Sequence, residues 1–100
     1  MNFPEYEQMA DALLWYIYSN GGTSYSLRPK MIYEALADLL NIDERDRRKP
    51  RTDGYSGTQW ENRVQWTRQK LINEGKLDGR TRGVWQLTQK SILHASRVEF

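Results

Sequence analysis

Thr58 to Glu74, TQWENRVQWTRQKLINE, is the stretch whose reading decides the fold. Thr58 followed three residues later by Glu61 spells a capping box, in which hydroxyl and carboxylate each satisfy a free backbone N–H group. Gly75 follows Asn73 and Glu74 and suits the left-handed position just past a helix end. The spacing therefore predicts a helix over 58–74. Trp60, Val64, Thr67 and Leu71 recur at the i, i+4, i+7 intervals of one buried stripe. Asn62, Gln65, Gln69 and Asn73 fall opposite, with Arg63, Trp66 and Lys70 along a flank. A merely solvated helix face tends to carry Glu and Lys, which favour helix and pair at i, i+4. Amides instead donate and accept at once, which is what reading a base edge requires.

A chain of 100 residues has room for one domain with a single modest core. The hydrophobic share of 38% and charged share of 28% are those of an ordinary folded protein and argue against disorder. With no cysteine, disulfides and thiolate metal sites are excluded. No apolar run approaches the roughly 20 residues that span a bilayer. The start, MNFPEYEQMADALL, is acidic and lacks a basic n-region, so a cytoplasmic location is expected. Charge is lopsided along the chain. Residues 1–44 hold Arg28 and Lys30 against seven carboxylates, a balance of −5; residues 45–100 hold thirteen Lys or Arg against six carboxylates, a balance of +7. Such asymmetry points to a face that meets a polyanion.

In chain order, Pro4 and the early glutamates open a first helix. Tyr6, Met9 or Ala10, Leu13 and Ile17 keep helical spacing to about Ser19, where Asn20-Gly21-Gly22 stops it. Thr23 to Ser26 is β-prone and short, enough for one small strand. Pro29 starts a second helix with Ile32, Ala35, Leu36 and Leu39 as its stripe, ending near Asn41. Ile42 to Arg47 allows a further helical turn, and residues 46–57, DRRKPRTDGYSG, read as a basic loop leading into the helix of 58–74. Beyond Gly75, residues 76–78 and 84–87 form two expected strands around a tip at Gly79–Gly83 that carries Arg80 and Arg82. Thr88 is positioned to cap a last short helix through Ile92 and Leu93 toward Ala95. The order defines a mainly helical α+β winged helix-turn-helix: a three-helix core, a β-hairpin wing and a short C-terminal helix. Residues 1–95 form the expected domain and 96–100 a tail or the start of a linker.

Several phrases resemble the N-terminal domain of Mrr-type restriction proteins. They are Phe3-Pro4-Glu5-Tyr6, Glu34-Ala35-Leu36-Ala37-Asp38, Asn62-Arg63-Val64-x-Trp66, Glu74-Gly75-Lys76-Leu77, and Arg82-Gly83-Val84-Trp85-x-Leu87-Thr88. The similarity runs to about residue 93. It implies a winged-helix DNA-binding module joined to a nuclease that cleaves foreign, often methylated, DNA, with a modified base among its targets. The loop 46–57 departs from the family by being longer and more basic. Thr67 stands where a small Ala is usual, and Ser91 replaces a common Gly.

The resulting expectation is a binding domain, not an enzyme, that targets a restriction or defence endonuclease to duplex DNA. The nuclease would lie in a separate domain of the same protein or complex. The helix of 58–74 would enter the major groove and the 79–83 wing would follow the backbone. Thr58, Gln59, Asn62, Gln65 and Gln69 are the candidate base contacts. Arg48, Lys49, Arg51, Lys70, Arg80 and Arg82 are the candidate phosphate contacts. Tyr55 and Trp66 are candidates for stacking on a modified base, although the reading favours packing of Trp66 beneath the wing. Arg63 borders the stripe, with Glu34 or Asp38 as possible carboxylate partners instead of phosphate. Trp15 and Trp85 fit helix and wing interiors. Asp53 with Glu74-Gly75-Lys76 imitates the acid and acid-x-Lys spelling of restriction nucleases, but Gly75 ends a helix there and a catalytic role is discounted. His94 is the sole histidine and has no second ligand type beside it, so no metal, cofactor or small-molecule ligand is expected. The alternative is a protein–protein or dimerisation module docking through the first helix, at Trp15, Tyr16 and Tyr18. RNA binding is a third reading, resting on charge and aromatic residues.

Overall fold

The computed structural model describes residues 3–22, 29–81 and 83–98. Its elements are α1 (Tyr6–Ser19), α2 (Pro29–Leu39), α3 (Glu44–Arg48), α4 (Gln59–Asn73), β1 (Leu77–Asp78), β2 (Gln86–Leu87) and α5 (Gln89–Ser96). The short strand expected at 23–26 lies outside the described residues. The molecule is mainly helical with one two-stranded antiparallel hairpin, the α+β winged helix-turn-helix arrangement.

The helices end where local chemistry makes them end. At the C-terminus of α1, Gly22 donates its N–H to Ile17 O at 2.9 Å and Gly21 donates to Tyr18 O at 3.1 Å. That is a Schellman motif, and Gly21 supplies its left-handed residue at φ 93°. The same pair of bonds closes α4, from Lys76 to Leu71 O and from Gly75 to Ile72 O. A third copy closes α2, with Asn41 taking the left-handed position at φ 54° in place of glycine. At the other end of α4 the capping box forms as read: Thr58 Oγ1 accepts from Glu61 N at 3.1 Å, and Glu61 Oε1 accepts from Thr58 N at 3.1 Å.

Helix α1 is the hub of the packing. It touches α2, α4, α5 and β2, and it buries Met9, Ala10, Ala12, Leu13, Leu14 and Ile17. The whole expected stripe of α4, Trp60, Val64, Thr67 and Leu71, is buried against it. Large apolar side chains removed from water like this each contribute about 1.5–3 kcal/mol. Two polar groups sit in the interior with their hydrogen bonds made. Thr67 Oγ1 donates to Arg63 O at 2.9 Å, and Ser91 Oγ donates to Lys76 O at 2.6 Å. The hydroxyls at these two departures from the family pattern are thus satisfied internally.

The hairpin pairs Leu77 with Leu87 and Asp78 with Gln86, shorter at both strands than the sequence suggested. The ladder stops early because Val84 N turns to Thr81 O at 3.0 Å and Leu87 N goes to Gly22 O at 2.9 Å. Trp85, Leu77 and Leu87 are buried on its inner face. Thr88 precedes α5 but does not cap it through its side chain; the hydroxyl donates to Gly75 O at 2.8 Å and ties α5 to the end of α4. In α2 the buried set is Ile32, Leu36 and Ala37, while Ala35 and Leu39 are half-exposed at the stripe's edge. Trp15 is likewise only half-buried. Helix α5 runs on to Ser96, one residue into the expected tail, burying Ser91 and Ala95 while Ile92 and Leu93 face outward. No described helix is long and apolar enough to cross a membrane.

Candidate nucleic-acid interface

The outward face of α4 is partly occupied by bonds within the protein. Thr58 is held in the capping box. Gln59 Nε2 donates to Pro50 O at 3.1 Å, Gln65 Nε2 donates to Tyr33 Oη at 2.6 Å, and Gln69 Nε2 donates to Asn73 Oδ1 at 3.1 Å. Asn62 is exposed, and its amide makes no hydrogen bond among the described residues. The five candidate base-reading residues are therefore not equivalent. One amide is free, three must release or share a bond, and one hydroxyl is committed to the helix end.

The segment before α4 is more ordered than a loop of its composition suggests. Its first residues belong to α3, whose N-cap Asp43 accepts from Arg45 N at 2.9 Å. Residues 50–58 then form a closed excursion. Gln59 N donates to Lys49 O at 2.9 Å, Arg51 N donates to Gly57 O at 3.2 Å, and Pro50 bridges Thr58. Gly54 and Gly57 take positive φ to complete it.

Four cations around this face are paired with nearby carboxylates. Arg48 meets Glu44 at 3.5 Å, Lys49 meets Asp46 at 3.0 Å, and Arg51 Nε donates to Asp53 Oδ1 at 3.0 Å. At the wing, Arg80 Nη2 donates to Asp78 Oδ2 at 2.7 Å. The Arg51 hydrogen bond holds the Asp53 carboxyl below its ordinary value, and Arg80 pulls Asp78 down to about 2. The guanidinium groups of Arg51 and Arg80 are raised by the same bonds. Exposed pairs of this kind contribute little to stability. A phosphate can take the place of the carboxylate. Arg82 lies outside the described residues. Arg45 on α3, which the sequence reading passed over, is exposed and makes no ion pair among the described residues.

Trp66 is not beneath the wing. It is 45% exposed, edge-on to Tyr6 at 5.7 Å between ring centroids, with the Arg63 guanidinium 4.8 Å over its ring. The cause is helical phase: Trp66 follows Val64 by two residues and points about 200° away from it. Tyr6 in turn gives its Oη hydrogen to Glu74 Oε1 at 2.7 Å, and Lys70 Nζ lies 4.1 Å over the Tyr6 ring. Burial first, and then the Glu74 hydrogen bond, raise the Tyr6 hydroxyl above its ordinary range. Arg63 pairs with neither Glu34 nor Asp38; its Nη2 donates to Pro4 O at 3.0 Å. Those two carboxylates belong to Arg47, which reaches Asp38 at 2.8 Å and Glu34 at 3.3 Å and fastens α3 to α2. Tyr55 is 71% exposed, with Arg51 5.0 Å over its ring.

Between the N-terminal segment, residues 51–53 and α4 lies a groove of about 380 Å³, lined by Phe3, Arg51, Asp53, Asn62, Arg63 and Trp66 among others. Sequence reasoning missed it, although Gln59, Asn62, Arg63 and Trp66 stand at i, i+3, i+4, i+7 and so share one strip of helix. Glu74 and Lys76 flank Gly75 at the end of α4 and meet only at 3.8 Å. Among the described residues, no group of three or more His, Asp or Glu gathers where it could hold a metal ion. His94 is an exposed partner of Asp11 at 2.8 Å.

A three-helix core with a hairpin after its last helix defines a mainly helical α+β winged-helix domain, with an amide-rich exposed helix face beside basic segments. The family described as the Mrr N-terminal domain matches residues 6–92, and the chain belongs to that family, which is associated with restriction systems. No curated protein and no solved structure matches the chain.

Proposed function

We propose that this chain is a non-enzymatic, cytoplasmic DNA-binding domain that targets a restriction or defence endonuclease to duplex DNA, methylated duplex included. The nuclease activity belongs to a separate domain of the same protein or complex. The observation that carries this reading is the exposed amide-rich face of α4, preceded by the basic segment 45–51 and followed by the hairpin bearing Arg80 and Arg82. In the proposed complex α4 enters the major groove, and Asn62, with Gln59, Gln65 and Gln69, contacts base edges. Arg48, Lys49, Arg51, Lys70, Arg80 and Arg82 contact phosphates, supplying affinity without sequence information. A good bidentate amide contact is worth roughly 1–3 kcal/mol of discrimination between bases.

Fluorescence anisotropy with one duplex in unmodified, cytosine-methylated and adenine-methylated forms, at two salt concentrations, tests the proposal. Binding that weakens with salt is expected, and tightening for one modification would assign modified-base recognition to this domain. Absence of binding even at low salt would overturn the reading.

A second reading rests on a shallow cleft of about 350 Å³ between α1 and α2, lined by Trp15, Tyr16, Ala35, Asp38 and Leu39, which would suit a docking protein. The double variant Arg80→Ala, Arg82→Ala separates the two. It cripples DNA binding under the first reading and leaves docking intact under the second.

A further inference from the structure

We infer that the groove beside α4 receives a single unstacked nucleotide base, so that this domain holds DNA with one base outside the helical stack. The inference rests on the DNA-binding reading and goes beyond it. A helix reads base edges when its reading side is convex and can lie in a groove of the duplex. Here Asn62, Arg63 and Trp66 also line a concavity with Phe3 and the 51–53 turn, so the face that reads edges borders a pocket. A concavity of about 380 Å³ accepts a flat group inserted into it, and is large enough for a base and its sugar.

Its chemistry suits a nucleobase. Phe3 and Trp66 bring aromatic surface, and base–aromatic stacking tolerates any base because each has a π-face. Asn62 offers a free donor and acceptor for the edge of the base. Arg63 carries a buried Nε with no hydrogen-bond partner. Such an orphan donor costs free energy until it is satisfied; the atom is shut off from the groove in the free protein, and a base carbonyl or ring nitrogen becomes its acceptor when the Arg63 side chain turns toward the inserted base. At the rim, the Arg51 guanidinium is hydrogen-bonded to the exposed Asp53 carboxylate and lies over the Tyr55 ring, and it can exchange the carboxylate for the phosphate of the extruded nucleotide. Taking a base out of the stack costs a few kcal/mol in a paired duplex and much less where the base is already unpaired.

The test compares two duplexes identical except at a one-nucleotide bulge, which carries a base in one and an abasic sugar in the other. Both have the same length and charge. The base-bearing bulge is expected to bind about tenfold tighter, the order of one base–aromatic stack. Trp66→Ala and, independently, Asn62→Ala should shrink that ratio toward one; both residues are exposed, and circular dichroism checks that each variant keeps its helix content. Equal affinity for the two bulges overturns the inference while leaving DNA binding standing. So does a preference for the base that both variants retain in full. Loss of all DNA binding by the unaltered domain would overturn this inference together with the reading beneath it.

Discussion

At the scale of single residues, four of the cations expected to meet phosphate, Arg48, Lys49, Arg51 and Arg80, are already answered by carboxylates two to four residues away. Asp53 and Asp78 thus compete with DNA for Arg51 and Arg80. Asp53→Asn and Asp78→Asn should each tighten DNA binding, roughly two- to fivefold at low salt, by freeing a cation and removing a repelling charge. Anisotropy titrations check this, and unchanged or weaker affinity would show that these arginines do not reach phosphate. The pairing has a signature in the free protein as well. The Asp78 carboxyl should titrate near pH 2 by NMR and return toward its ordinary 3.8 in Arg80→Ala. Because the folded value is the lower one, whatever stability the pair adds is present above the ordinary value and fades as pH falls through about 2.

Among the elements, the helices and their winged-helix order were legible, and the side-chain contacts between distant segments were not. The capping box and Gly75 marked both ends of α4 because each acts through backbone groups a few residues away. Thr58→Ala should accordingly cost about 1 kcal/mol in chemical denaturation, the usual loss for such a cap. Trp66 and Arg63 were misread because their partners come from the N-terminal segment, 60 and 59 residues distant by numbering at Tyr6 and Pro4, and no periodicity reports that contact. The same limit hid Arg47. Its side chain is only 14% exposed and joins Ile42 O, Glu34 and Asp38, so it holds α3, and through α3 the start of the excursion at 50–58, against α2. Burial alone would depress its guanidinium, but the hydrogen bonds to the two carboxylates outweigh that and raise it. Arg47→Ala should cost about 1.5–3 kcal/mol, the worth of hydrogen bonds to charged groups. Hydrogen exchange should then quicken in residues 44–49 before it changes in α4. Uniform quickening would mean that α3 is not a separate unit.

For the whole molecule, the −5 and +7 halves of the sequence are joined in part, since Glu34 and Asp38 from the first half close on Arg47 from the second. What survives is a set of local neutral pairs with a modest cationic surplus. Affinity for DNA then depends on how many pairs open on the duplex, which salt dependence measures. Each phosphate neutralised releases counterions and steepens the plot of log K against log salt by about 0.9. If Arg48, Lys49, Arg51, Lys70, Arg80 and Arg82 all engage, the slope is about −5; if the carboxylates stay in place, it falls to about −1 or −2. Arg51→Ala and Arg80→Ala should each flatten it by about 0.9 while weakening all sequences alike. Asn62→Ala should leave the slope unaltered and reduce preference between sequences instead. A slope that does not respond to the arginine variants would place the polyanion on some other part of the surface, whatever the affinity.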